Sequence, residues 1–358
     1  MRALKLAALM FLAVACAKEG ANSSSTASST SSSSGSVDLT GAGATFPYPI
    51  YSKWFSDYAK LTGVKINYQS IGSGGGIRQV SEQTVDFGAS DGPMSDEELA
   101  KAKGGPILHV PTVLGADVIT YNLQGVTAAL KFTPDLIAGI FMGRVTKWND
   151  SRITSLNPGV SLPNQDILVV HRSDGSGTTY IFTDYLDKVS PAWHASVGKG
   201  KEVKWPVGLG GKGNEGVAGQ IKQTPGAVGY VELAYAKQNN LPVGAVRNKA
   251  GQYVAASVPA VTAAAAGVAE SLPANTDYRI SIVNAPGADS YPISSFTWIL
   301  VYHHQTDAVK GKKLVDFLNW ALTEGEKVAS TLDYAPLPTA MAANVRARLT
   351  TIDIAGPK

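Results

Sequence analysis

Cysteine is almost absent from this chain: Cys16 is the single one in 358 residues. One thiol near the N-terminus forms no internal disulfide, so the folded part holds together by packing alone. It also leaves that part without thiolate metal ligands or a cysteine nucleophile. Positive charge is in no real excess, with 31 Lys and Arg against 28 Asp and Glu. Setting aside Arg2 and Lys5 leaves 29 basic residues, so there is no basic surplus to recruit nucleic acid. An anionic ligand would have to be held by something other than bulk charge. No apolar run beyond the N-terminus is long enough to span a bilayer. The five histidines (His109, His171, His194, His303 and His304) lack metal-ligand spacing with carboxylates, and surface or core roles suit them better. No catalytic constellation is apparent, and neither metal nor cofactor is implied.

What is present begins at the N-terminus. Met1-Arg2-Ala3-Leu4-Lys5 is a short positive start, and Leu6 to Ala15 is unbroken apolar sequence. That run is too short for a membrane-spanning helix and reads as a signal-peptide core. It ends at Leu12-Ala13-Val14-Ala15-Cys16, which resembles the bacterial lipobox, with Ala13 where leucine is usual. Residues 1–16 are therefore expected to be a signal peptide whose Cys16 becomes a lipid anchor. Residues 17–36 are dominated by Ser, Thr, Ala and Asn and bury too little apolar surface to fold. As a flexible tether, its Ala21–Ser36 stretch spans about 20–24 Å on average, enough to lift a globule clear of lipid headgroups. The remaining chain, about 320 residues, exceeds what one core usually supports, so two domains are expected.

From Val37 onward, short β-branched or aromatic runs alternate with helical stretches. Val64–Tyr68, Ile107–Val110, Asp117–Tyr121, Ile167–Val170 and Ser295–Tyr302 read as strands. Tyr51–Leu61, Ser95–Lys103, Thr133–Phe141, Thr178–Lys188 and Lys310–Thr323 read as helices. This alternation predicts an α/β architecture with a largely parallel sheet. Ala255–Gly267 is Ala-rich, either a helix or a loosely packed insert.

Four loops stand out where strand-like runs give way to helices or turns: Thr40–Pro47, Ile71–Arg78, Asp86–Pro93 and His171–Thr179. Glycines let backbone approach a ligand, and a helix N-terminus aims unpaired N–H groups and partial positive charge at it. Pro47 suits a first helical turn and leaves Thr45 and Phe46 to offer backbone donors. Three such loops around one point would saturate a tetrahedral oxyanion without any lysine. Two other motifs fail. Gly208-Leu209-Gly210-Gly211-Lys212-Gly213 lacks the Ser or Thr that a P-loop needs after lysine. Ser176 is no hydrolase elbow, because Asp174 stands where G-x-S-x-G requires its first glycine.

Taken together, these loops resemble the phosphate-binding protein of the Pst-type ABC transporter. The resemblance runs from Leu39-Thr40-Gly41-Ala42-Gly43-Ala44-Thr45-Phe46-Pro47 to Leu332-Asp333-Tyr334-Ala335-Pro336-Leu337-Pro338. Between them lie Thr84-Val85-Asp86-Phe87-Gly88-Ala89-Ser90-Asp91, Asp174-Gly175-Ser176-Gly177-Thr178 and Lys204–Asn214. The resemblance implies a two-lobed periplasmic-binding-protein fold of type II. Each lobe would be a mostly parallel sheet flanked by helices, with the ligand in the cleft between them. Lobe one is placed at 37–113 plus 290–358 and lobe two at 118–288.

Positions matching the family's phosphate shell are Thr45, Phe46, Ser73, Asp91, Arg172, Ser176, Gly177 and Thr178, with Asp174 behind Arg172 to orient its fork. The family often carries a second serine where Gly74 stands. The resemblance further implies an extracytoplasmic monomer, not an enzyme, that hands inorganic phosphate to permease subunits of an ABC importer. A carboxylate facing an anion makes sense only as acceptor for a proton on the ligand. Asp91 therefore favours phosphate over the rival readings of a sulfate or molybdate receptor. A secreted phosphatase would need a nucleophile with a base or a metal.

Overall fold

The computed structural model describes residues 39–126, 128–269 and 277–354. The signal-peptide, lipobox and tether assignments, Cys16 among them, lie outside the described residues. Strand β1 (Leu39–Gly43) opens the chain and α1 (Tyr48–Thr62) follows. Ile50, Tyr51, Trp54, Phe55 and Tyr58 recur at helical spacing along α1 and form its buried face; Gly63, left-handed at φ 76°, ends it. Next come β2 (Ile66–Ser70), α2 (Ser73–Ser81), β3 (Phe87–Ser90) and α3 (Asp96–Ala100). Residues 40–43, expected within a loop, belong to β1 because all four pair in parallel with β2 and the last three also with β3. The helix expected at Ser95–Lys103 is shorter, opening with a capping box between Ser95 and Glu98.

Strand β4 (Ile107–Tyr121) merges two expected strands into one of 15 residues. Pro111 hid this continuity, since a proline seldom sits inside a central strand. Its missing N–H falls where the partner strand shifts register, between Thr297 and Trp298. The middle of the chain then supplies β5 (Lys131–Phe132), α4 (Pro134–Phe141), α5 (Ser151–Thr154), β6 (Leu168–Arg172), α6 (Gly177–Val189) and α7 (Pro191–Ser196). After these come β7 (Leu209–Gly211), α8 (Gly213–Gln223), β8 (Ala227–Glu232) and α9 (Leu233–Gln238). Strands β9 (Ala245–Arg247) and β10 (Tyr253–Val254) precede α10 (Val258–Ala269), so the Ala-rich stretch is helical. The chain closes with β11 (Ser294–Tyr302), α11 (Ala308–Ala321), a 3-10 helix at Gly325–Leu332 and α12 (Thr339–Leu349).

The strands form one eight-stranded sheet in the order β2-β1-β3-β11-β4-β8-β6-β7, with a small sheet β10-β9-β5 beside it. Each end of the large sheet is a parallel trio, β2-β1-β3 and β8-β6-β7. Between them β4 and β11 run antiparallel to their neighbours. From Ile107 to Ala116, β4 pairs with β11; from Asp117 to Tyr121 it pairs with β8. One strand thus joins both halves of the sheet, and its change of partner falls between Ala116 and Asp117. Helix α2 reaches its place because Gly76 has no side chain. A Cβ there would lie 2.5 Å from the Gly43 Cα and 2.7 Å from the Ala89 carbonyl oxygen. That close approach seats the start of α2 over the ends of β1 and β3.

Candidate ligand-binding site

The four loops converge at the ends of the parallel strands, where α/β sheets commonly place their ligands. The turn after β1 carries Thr45 and Phe46. Their carbonyls accept from the Tyr235 and Tyr334 hydroxyls at 2.6 and 2.7 Å. Tyr334 also packs edge-on against the Phe46 ring, 6.5 Å between centroids, so Phe46 points its side chain into the core. With that ring buried, the candidate site has only the Phe46 backbone to draw on. Ser73, the first residue of α2, is buried, and its hydroxyl accepts from the Asp91 amide at 3.2 Å.

Asp91 follows β3 and is 2% exposed. The Thr297 hydroxyl donates to its Oδ1 at 2.7 Å, and the Ser73 hydroxyl lies 3.5 Å from Oδ2. Burial pushes the Asp91 carboxyl up to about 7, although Thr297, Arg172 and Ser73 pull the other way. His109 steadies the segment beyond: its Nε2 accepts from the Met94 amide at 3.0 Å. Burial holds that imidazole neutral, with a pKa lowered to about 3.

Opposite stands Arg172 at the end of β6, its side chain 1% exposed. The guanidinium grips Asp174 with Nε to Oδ1 at 2.8 Å and Nη2 to Oδ2 at 2.5 Å, while Nη1 donates to Thr178 Oγ1 at 3.2 Å. Burial alone would raise the Asp174 carboxyl; the Arg172 fork outweighs it and holds Asp174 below the usual range. The fork is therefore fixed in direction and its charge is already countered. Ser176 caps α6, its Oγ accepting from the Thr179 amide at 3.0 Å. Gly177 and Thr178 form the first turn behind it, with their N–H groups at the positive end of the helix.

The two sides meet tightly. Gly74 N–H donates to the Gly175 carbonyl at 2.8 Å. A Cβ on Gly177 would fall 2.5 Å from Ser73 Oγ and 2.6 Å from the Asp91 amide nitrogen. The structure thus gathers Thr45, Phe46, Ser73, Asp91, Arg172, Asp174, Ser176, Gly177 and Thr178 at one place.

Two polar residues of this cluster escape notice in the sequence. Thr297 is a polar residue inside the apolar run of β11, and that break in pattern is its signal. Asn214 sits at the start of α8, in the Gly-Gly-Lys-Gly-Asn string, fully buried. Its Nδ2 donates to Thr45 Oγ1 at 2.8 Å and Thr178 Oγ1 at 3.0 Å.

Behind the cluster, Asp117 of β4 lies opposite Glu232 of β8, both fully buried. Neither Asp117 carboxylate oxygen has a hydrogen-bond partner among the described residues. Burial, then the neighbouring Glu232, hold Asp117 far above the carboxylate range. Glu232 is raised too by burial, against its hydrogen bonds from the Ala234 amide and the Tyr334 hydroxyl. Among the described residues, no group of three or more His, Cys, Asp or Glu side chains is placed to hold a metal.

Comparison with known proteins follows the same lines. The model of the PBP superfamily domain matches residues 23–324. A "Phosphate-binding protein PstS" of Pasteurella multocida is 47% identical over 314 residues, covering 87% of this chain and 90% of the relative. The chain belongs to the PstS phosphate-binding protein family. A second PstS, from Xylella fastidiosa, is 46% identical across 87% of this chain and 85% of its own length. A solved high-affinity periplasmic phosphate-binding protein, bound with phosphate, shares the PstS fold. It superposes with a TM-score of 0.69 at 22% identity, covering 90% of this chain and 99% of that one. Among the described residues of this PstS family member, no helix is long and apolar enough to cross a membrane.

Proposed function

We propose that this chain captures inorganic phosphate outside the cytoplasmic membrane and passes it to the permease subunits of an ABC importer. The observation that carries the reading is a cluster of hydrogen-bond donors containing one carboxylate acceptor, Asp91, whose Oδ1 takes the Thr297 hydroxyl at 2.7 Å while the Ser73 hydroxyl stands off Oδ2 at 3.5 Å. Hydroxyls of Thr45, Ser73, Ser176 and Thr178, N–H groups of the Thr45–Phe46 turn and of the α2 and α6 starts, and the Arg172 fork all donate. With Arg172 countered by Asp174, an anion is stabilised here by oriented dipoles among buried side chains rather than by surplus charge. Asp91 takes the proton that hydrogen phosphate or dihydrogen phosphate carries and sulfate lacks.

In this reading, residues 37–113 with 290–358 form one lobe and 118–288 the other. Strands β4 and β11 are the hinge on which they close. Cys16 is the acylated anchor, residues 17–36 the tether, and the receptor works as a monomer without catalysis.

Isothermal titration of the chain with phosphate, arsenate and sulfate, repeated on Asp91→Asn, tests the reading. Phosphate and arsenate are expected to bind tightly and sulfate more weakly, the gap widening as pH rises above 7 and Asp91 ionises, since a buried ionised acceptor facing an unprotonated oxygen is left unpaired. Asp91→Asn should narrow that gap by about tenfold at pH 8. Equal affinity of the parent for sulfate and phosphate would sink the reading. Release of phosphate from a phosphomonoester would instead make it a hydrolase.

A further inference from the structure

Asn214 sets the direction of the hydrogen bonds at the candidate site, and this inference rests on the phosphate reading above. The side-chain amide has two chemically different ends, and the network decides which faces where. The Glu232 backbone N–H, which can only donate, lies 2.9 Å from Asn214 Oδ1. The oxygen end is therefore committed to β8, and the NH₂ end must point the other way. There it meets two hydroxyl oxygens, Thr45 Oγ1 at 2.8 Å and Thr178 Oγ1 at 3.0 Å.

Each of those oxygens receives a second obligate donor. Thr45 Oγ1 also accepts from the Asn214 backbone N–H at 3.2 Å, and Thr178 Oγ1 from Arg172 Nη1 at 3.2 Å. A hydroxyl oxygen has two lone pairs and one proton. With both lone pairs occupied, the remaining capacity of each threonine is its proton. The same holds on one side for Ser176, whose Oγ accepts from the Thr179 amide.

We propose that Asn214 is a positioning residue that locks the Thr45 and Thr178 hydroxyls as donors toward the ligand. Without this lock a hydroxyl can rotate and accept from the ligand's protonated oxygen as well as donate to an unprotonated one. With it, Thr45 and Thr178 bind only acceptor oxygens. The protonated oxygen of phosphate is then confined to the Asp91 side, so a second residue of the cluster enforces the orientation that Asp91 reads. Asn214 also joins the turn after β1 to the start of α6, two segments from opposite ends of the large sheet.

The test is a double-mutant cycle read by phosphate titration. Asn214→Asp keeps the shape but turns the donor end into an acceptor that captures the threonine protons. Phosphate affinity should fall about 10²–10³-fold, roughly tenfold for each hydrogen bond plus the added charge. In a Thr45→Val/Thr178→Val background, only the charge effect remains, and the cost should shrink at least tenfold. An equal cost in both backgrounds would mean that Asn214 acts through charge or through the fold, and the proposal would be wrong.

Should Asn214→Asp fail to fold, the neutral Asn214→Leu serves. It is expected to cost about tenfold in the parent and under threefold in the double-valine background, with equal costs again overturning the proposal. The parent titration separates the two readings. Absence of phosphate binding there refutes the function, whereas binding without coupling refutes the role of Asn214 alone.

Discussion

Asp91 has two protonation states within reach of neutral pH, because burial brings its carboxyl up to about 7. Above that pH, in the proposed role, it is an acceptor and needs a proton on the ligand. Below it the carboxyl carries its own proton and becomes a donor, which sulfate can use. Sulfate affinity should therefore climb as pH falls from 7 to 5, by up to about tenfold per unit, and Asp91→Asn should flatten the dependence. Titrations of sulfate across that range check it; a flat profile in the parent would contradict the acceptor role.

Asp117 gives a separate expectation, for stability. Its folded carboxyl is held above its unfolded value, so the folded state binds the extra proton. The associated stability is present below the unfolded pKa and is lost as pH rises toward the folded one. Asp117→Asn, uncharged throughout, should be more stable than the parent at pH 8 and show a flatter stability profile from pH 5 to 8. Each kcal/mol gained moves the melting temperature by about 2–4 °C.

At this scale the sequence is legible in part. Thr45, Ser73, Asp91, Arg172 and Thr178 are announced by their glycine-rich loops. Asn214 and Thr297 are not, because each earns its role from a partner 169 or 206 residues away. Asp117 reads as one more residue of a strand until Glu232 is seen across from it.

Among the elements, α6 is the most closely constrained. Its start presses so near α2 and the end of β3 that Gly177 has no room for a methyl group. Gly177→Ala should weaken phosphate binding by at least a hundredfold, because Ser73 and Asp91 must give way, and titration against the parent checks it. Ser176→Ala removes the cap and should cost about 1 kcal/mol of stability, measured by denaturant unfolding.

Helices α4, α6 and α11 fall within a few residues of where the sequence puts them; α11 buries one stripe through Leu314, Phe317, Leu318 and Ala321, whereas α4 and α6 are buried on most of their circumference. Strand β4 is less readable. Pro111 is a break by its own chemistry, and the strand runs through it where the pairing with β11 shifts register, Trp298 facing Pro111 and Thr297 facing Val113. Strand β2 lies two residues beyond its expected start, because pairing with β1 rather than local β-propensity decides its span.

Across the whole molecule, contacts outside the ligand cluster also tie its two sides together. Lys201 Nζ reaches the Pro93 carbonyl and Glu98 Oε2, each at 2.9 Å. Arg279 Nη1 reaches the Met94 carbonyl at 3.2 Å and Asp96 at 2.6 Å. If the lobes open as proposed, these contacts must break. Lys201→Ala with Arg279→Ala should then speed phosphate release about three- to tenfold with little change in the on-rate, as stopped-flow would show. Solution scattering should record a smaller radius of gyration with phosphate than without, and an unchanged radius would argue against hinge closure.

The threading of β11 also bears on how the chain comes to be folded at all. Its nine residues lie between β3 and β4, yet they are synthesised after every other strand of the sheet. The trio β8-β6-β7 is built from one continuous stretch and can assemble as soon as that stretch emerges. The trio β2-β1-β3, made first, must wait for the last strand before its inner edge is covered. Long-range pairing of this kind slows folding and leaves an unpaired edge exposed in the meantime. Pulsed hydrogen exchange during refolding should protect β8 and β6 before β1 and β3. A newly made chain is thus held open at its N-terminal half until its C-terminal half arrives.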